Sequence, residues 1–162
     1  MSNEMKDWLR DRAEAAKVWV AKYPFLRFKI NDCCPWENTE EIESCWMFDL
    51  PVGWEIGFGE QMCDELMAAL GKYADDFFIL QLKEKYGSIR LYWGWVDREH
   101  TDEEHEEMKA VYDAVEDVIS KYEEISYNTC VHCGKPAELW NDGGWISGWC
   151  KSCYERRYEN DK

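Results

Sequence analysis

Eight cysteines stand in a chain of 162 residues, and four of them fall in two C-x-x-C pairs, Cys130-Val131-His132-Cys133 and Cys150-Lys151-Ser152-Cys153. Thiolates are soft anionic ligands. Two residues between paired cysteines let one turn aim both sulfurs at the same ion, and two pairs complete a tetrahedral shell for Zn2+ at about 2.3 Å. Four protein ligands leave no position for water, so the spacing predicts a structural zinc and not a catalytic one. Gly134 after Cys133 suits a knuckle turn, and His132 inside the knuckle reads as a bystander. Two disulfides would need an oxidising compartment, and a redox C-x-x-C opens a helix in a βαβ setting. The N-terminal MSNEMKDWLRDR lacks the features of an export signal, and no βαβ pattern surrounds either pair. Cys33, Cys34, Cys45 and Cys63 follow no metal-binding spacing and read as buried thiols, with a second metal site as the alternative.

These sulfurs need elements to place them. Residues 137–149 read as a short hairpin turning at Asn141, Asp142, Gly143 and Gly144, and the segment after Cys150 as a helix. Knuckle, hairpin and helix together predict a treble-clef-like zinc finger over residues 127–162. So short a tail buries little core, so the metal would supply its folding free energy.

Residues 1–126 read as an α+β domain, helices packed on a small antiparallel sheet. Met5, Trp8, Leu9, Ala16, Trp19, Val20 and Tyr23 form one stripe of a helix over 3–23, which Pro24 ends. Residues 25–30 alternate as a strand, 31–45 form an acidic loop, and 46–50 read as a strand closed by Pro51. Gly53, Gly57 and Gly59 predict irregular chain up to a helix over 60–74 bearing Met62, Leu66, Leu70 and Tyr73. A hairpin follows: Phe78, Leu80 and Leu82 share one face, Phe77, Ile79 and Gln81 the other. Gly87 turns the loop, and the return strand aligns Ile89, Leu91, Trp93 and Trp95. Thr101 and Glu104 form a capping box opening a helix over 102–126, with a stripe of Met108, Val111, Val115, Val118, Tyr122 and Ile125.

The net charge of −15 argues against non-specific binding to nucleic acid or anionic membrane. No apolar run is long enough to span a bilayer. Residues 31–71 hold ten acids and no lysine or arginine, and residues 100–124 hold ten acids and two lysines. On the helix within the second stretch, Glu103, Glu106, Glu107, Asp113, Glu116 and Asp117 line an acidic ridge. Trp54, Trp140, Trp145 and Trp149 fall in segments read as loops or in the small hairpin, where little core exists to cover them. Lys83, Lys85 and Arg90 make a basic patch expected to pair with the acidic helices. Of the histidines, His100 reads as solvated and His105 as packed. No nucleotide-binding loop, nucleophile elbow or metalloprotease motif is present.

The run from Gln81 to Tyr92, QLKEKYGSIRLY, resembles the Q-x-K-E-K-[FY]-G-x-[LI]-R-[FL]-Y core of a family of small uncharacterised bacteriophage and prophage proteins. Gly53-Trp54, the helix Met62-Cys63-Asp64-Glu65-Leu66 and the later cysteine pairs are similar to features flanking that core, over about residues 50–155. The resemblance implies a phage-type cytoplasmic protein with a zinc finger and carries no catalytic residues.

The sequence therefore predicts a non-enzymatic interaction protein that binds a basic surface of a host protein. The ridge, Trp145 and Trp149 would make the contact, and in the most specific version carboxylates stand in for nucleic-acid phosphates. A nucleic-acid-binding finger using Lys151, Arg156 and Arg157, or an enzyme with an unrecognised site, are the alternatives.

Overall fold

The computed structural model describes residues 3–29 and 43–159, and among them the expected α+β arrangement is present, with helices around three two-stranded antiparallel sheets. Helix α1 (Asn3–Lys22) ends before Pro24 and buries Ala16 and Val20. The side chains of Met5, Trp8 and Leu9 lie outside the described residues. Tyr23 anchors the end of the helix, its hydroxyl donating to Asp64 at 2.6 Å.

The segment expected as a strand over 25–30 is shorter. Pro24–Leu26 form a 3-10 turn that buries Phe25 and Leu26, and β1 (Arg27–Lys29) then pairs with β2 (Glu43–Cys45). Most of the acidic loop lies outside the described residues. The strand expected over 46–50 is instead a 3-10 turn, Trp46–Asp49. No alternation exists in WMFDL to hold a strand. The tighter turn sends Met47 into the core while Phe48 and Asp49 swing back to α1. There Arg12 lies 5.1 Å over the Phe48 ring and bonds Asp49 at 3.1 Å.

The largest departure concerns Gly53, Gly57 and Gly59. The chain there is helical and continuous: an α turn over Val52–Trp54, a π-helical turn over Glu55–Gly59, then α2 (Glu60–Leu70). These glycines do not break the helix. Helix α2 buries Met62, Cys63, Leu66 and Leu70, stops at Gly71, and passes through a 3-10 turn, Gly71–Asp76, to the main hairpin.

Strands β3 (Phe77–Lys85) and β4 (Ser88–Trp95) form that hairpin. The return strand faces inward as expected, with Ile89, Leu91, Trp93 and Trp95 against the core. Strand β3 does not keep one alternation. Its register shifts between Ile79 and Gln81, leaving Leu80 as a bulge. Phe77, Ile79 and Leu82 therefore point inward while Phe78 and Leu80 face solvent. A single extra residue moves every later side chain to the other face, so the expected faces are corrected at the bulge. Helix α3 (Asp102–Tyr127) opens with the expected capping box and lays Met108, Val115, Ile119 and Tyr122 on the core.

The hairpin loop is only Tyr86-Gly87, with φ of 55° and 78°. Two left-handed residues form the primed turn that matches strand twist, a place usually taken by Asn-Gly. Tyr86 bears steric strain that asparagine tolerates better. Tyr86→Asn is expected to raise unfolding stability by about 0.5–1 kcal/mol, measured by urea denaturation, with the fold unchanged.

Candidate metal centre

Helix α3 delivers the chain directly to the knuckle. Cys130 N donates to Lys135 O at 2.8 Å and Gly134 N to Cys130 O at 3.0 Å, closing a tight turn around Cys130–Gly134. Gly134, at φ 73°, supplies the left-handed residue. The second hairpin, β5 (Glu138–Asp142) and β6 (Trp145–Trp149), turns at Gly143-Gly144 and returns the chain to Cys150. Helix α4 (Lys151–Glu159) begins at once and carries Cys153 in its first turn. Knuckle, hairpin and helix follow in the predicted order.

The ligand atoms of Cys130, Cys133, Cys150 and Cys153 lie within 4.8 Å of one another, and no other such group of metal-binding side chains occurs among the described residues. Cys133 and Cys150 are separated by 3.7 Å between sulfurs. Tetrahedral thiolates at about 2.3 Å from one ion stand about 3.8 Å apart, whereas a disulfide brings sulfurs to about 2.05 Å. The four are free cysteines gathered at the spacing a metal ion requires. Cys130 and Cys153 are buried and Cys133 and Cys150 half-buried.

Electrostatics favour occupancy by a cation. The Ser152 hydroxyl, with backbone groups at the start of α4, holds the Cys150 thiol down at about 6, near its charged form. Burial pushes Cys153 up to about 12, although Arg156 reaches its sulfur at 3.3 Å. Four sulfurs cannot share one small space as thiolates unless a cation neutralises them. His132 stays clear of the cluster as expected, its ring beside Trp149 at 6.4 Å.

The cluster is docked on the core by backbone contact. Gly53 N donates to Val131 O at 2.9 Å. A Cβ on Gly53 would sit 2.1 Å from the Cys130 carbonyl oxygen, and one on Gly57 would sit 3.0 Å from that of Gly134. While Gly59 packs on Met47, Gly53 and Gly57 leave room for the cysteine loop to approach. Between them Trp54 is fully buried, its indole donating to Thr129 O at 3.1 Å.

The tryptophan expectation therefore divides. Trp54 is core. Trp140 stacks on Tyr154 at 3.8 Å, and Trp149 is half-buried, bonded to Ser147 and beside Arg157. Trp145 alone of the four is open, at 67% exposure. Arg157 pairs with Asp142 at 3.2 Å and Lys151 with Glu155 at 3.8 Å. Cys45 and Cys63 are buried thiols as expected, and burial raises both above their ordinary range. Cys33 and Cys34 lie outside the described residues.

The ridge on α3 is partly used internally. Glu107 pairs with Lys72 and accepts from Tyr73 at 2.7 Å, Glu106 pairs with Lys109, and Glu116 is half-buried, accepting from the Trp93 indole at 2.8 Å. The carboxylates of Glu103, Asp113, Asp117 and Glu124 are exposed and make no hydrogen bond or ion pair among the described residues. Of the basic patch, Arg90 pairs with Glu123 at 3.2 Å, while Lys83 and Lys85 rest over Tyr92 and Tyr86. The two histidines are reversed relative to expectation. His105 is exposed, and the His100 side chain is packed at 7% exposure beside Glu104.

Comparison of the chain with family models, with curated proteins and with solved structures gives no match.

Two outcomes follow from this geometry. Gly53→Ala is expected to cost about 3 kcal/mol or more in urea denaturation and to weaken metal retention in a chelator competition, because the added methyl meets backbone. In the native metal-loaded protein, alkylation mapped by peptide mass spectrometry should leave Cys45, Cys63, Cys130, Cys133, Cys150 and Cys153 unmodified. Chelation should expose the last four first.

Proposed function

We propose that the chain is a zinc-stabilised, non-enzymatic interaction protein whose acidic α3 face docks on a basic surface of a partner protein. Following the resemblance of its hairpin motif, the setting is a phage-type protein in the bacterial cytoplasm, and the partner a host nucleic-acid-binding or defence protein. Zinc is the metal of choice for four thiolates in a closed tetrahedral shell, since sulfur disfavours calcium and magnesium. Such a shell holds structure and leaves the chemistry of binding to the surface.

The observation that carries the reading is the row formed by Glu103, Asp113, Asp117 and Glu124, which have exposed carboxylates without partners among the described residues. They share one face of a helix seated on the core, and Glu103 to Glu124 spans about 31 Å at 1.5 Å per residue. A nucleic-acid strand carries a phosphate about every 3.4 Å. The row is sparser than that, so it suits several separated lysines or arginines better than it imitates a continuous strand.

Capture tests this reading. The immobilised protein should retain a basic protein from bacterial lysate at low salt and release it as salt rises, because exposed charges are screened. The variant Asp113→Lys/Asp117→Lys/Glu124→Lys should retain its melting temperature and lose capture. Salt-insensitive capture, or capture undiminished by the variant, refutes the reading. Retardation of nucleic acid by the protein alone in a gel would favour the nucleic-acid-binding alternative.

A further inference from the structure

A cavity of about 690 Å³ opens between the end of β4, the segment after it, and the first half of α3. It is an open depression rather than an enclosed chamber, so a group held there lies against its walls. It is not part of the metal centre, and it borders the acidic row, because Asp113 belongs to both.

Its floor is aromatic. Trp95 and Tyr112 line it, and Trp93 packs behind both at ring distances of 5.0 and 5.1 Å. Tyr112 is 48% exposed although one side of its ring packs on Trp93. The rim is charged, and its charges do not cancel. Arg98 is held by both oxygens of Asp76 at 2.9 and 2.6 Å, and Lys109 by Glu106 at 2.6 Å. These cations are already neutralised. Asp97 and Asp113 line the same cavity, are exposed, and make no hydrogen bond or ion pair among the described residues. His100 and His105 complete the wall, their rings 5.5 Å apart. The Nδ1 atom of His100 is buried without a hydrogen-bond partner among the described residues, since Glu104 stands at 3.8 Å.

We infer that this cavity receives the side chain of an arginine presented by the docking partner, an inference that rests on the α3 face being a docking surface. The unspent groups all call for the same chemistry. Two carboxylates ask for a cation. Flat aromatic walls favour a planar one, which stacks as well as attracts. A guanidinium meets both demands. An ammonium meets only the first, and an anion meets neither. Arginine is also among the residues enriched at the energetic centres of protein interfaces.

The probe is N-acetyl-arginine amide, titrated into the full-length labelled protein, with the corresponding lysine and norleucine amides as comparisons. Signals of Trp95, Tyr112 and His100 should shift saturably with the arginine probe, with Kd in the millimolar range expected for so small a ligand. The lysine probe, and the arginine probe on Asp97→Asn/Asp113→Asn, should bind more weakly by about fivefold or more. Both aspartates are exposed, so the variant is expected to fold. Absence of a saturable shift, equal response to the lysine or norleucine probe, or undiminished binding by the variant overturns the inference. Probe binding by a protein that captures no basic partner refutes the docking reading and leaves the cavity as an arginine site. Capture without probe binding refutes the cavity alone.

Discussion

The contact on which this molecule turns is one between two pieces of backbone. The Gly53 amide meets the Val131 carbonyl, and the space a side chain would fill at Gly53 is taken by the carbonyl oxygen of Cys130. Packing this close leaves no room for a side chain at Gly53, or at Gly134, whose Cβ would sit 2.7 Å from the Gly53 carbonyl oxygen. It fixes the knuckle that aims Cys130 and Cys133, and it buries Trp54 with its indole satisfied by Thr129. The metal loop thus forms one wall of the core. An ion held by the four cysteines would support the helical stretch from Val52 onward as well as the finger itself.

Much of this was legible in the sequence because it rests on local chemistry. The cysteine spacing marks the ligands, since a turn of fixed length must aim paired sulfurs. The capping box of Thr101 and Glu104 marks the start of α3, and a regular stripe marks its buried face. What escaped depends on partners far away in the chain. Gly53 and Gly57 look like helix breakers until Cys130 and Gly134, far along the chain, are placed against them. Trp54 looks stranded in a loop for the same reason. The bulge at Leu80 has no signature in a run of apolar residues, where either alternation fits. WMFDL lacks alternation, and the contacts its 3-10 turn makes, Phe48 and Asp49 with Arg12, lie in another element.

The acidic helix shows why charge counts mislead when read alone. Ten acids in residues 100–124 suggest one continuous ridge, yet the fold spends several of them. Glu104 caps its own helix, Glu116 satisfies an indole, and Glu107 holds Lys72 and Tyr73. What remains outward is a sparser row, beside a cavity whose cations are already engaged. The negative field at that end of the molecule is therefore more focused than the composition implies.

The long separation between Gly53 and the knuckle also bears on how the protein is made. During synthesis the stretch around Trp54 leaves the ribosome well before the loop that must cover it. Until that loop follows, a large indole and a row of bare glycines wait without their wall. The paired sulfurs, by contrast, lie close in sequence and can be gathered by an ion as soon as both have emerged. The later-translated loop is thus the one that completes the stretch around Trp54, so closure of this part of the core runs backward along the chain.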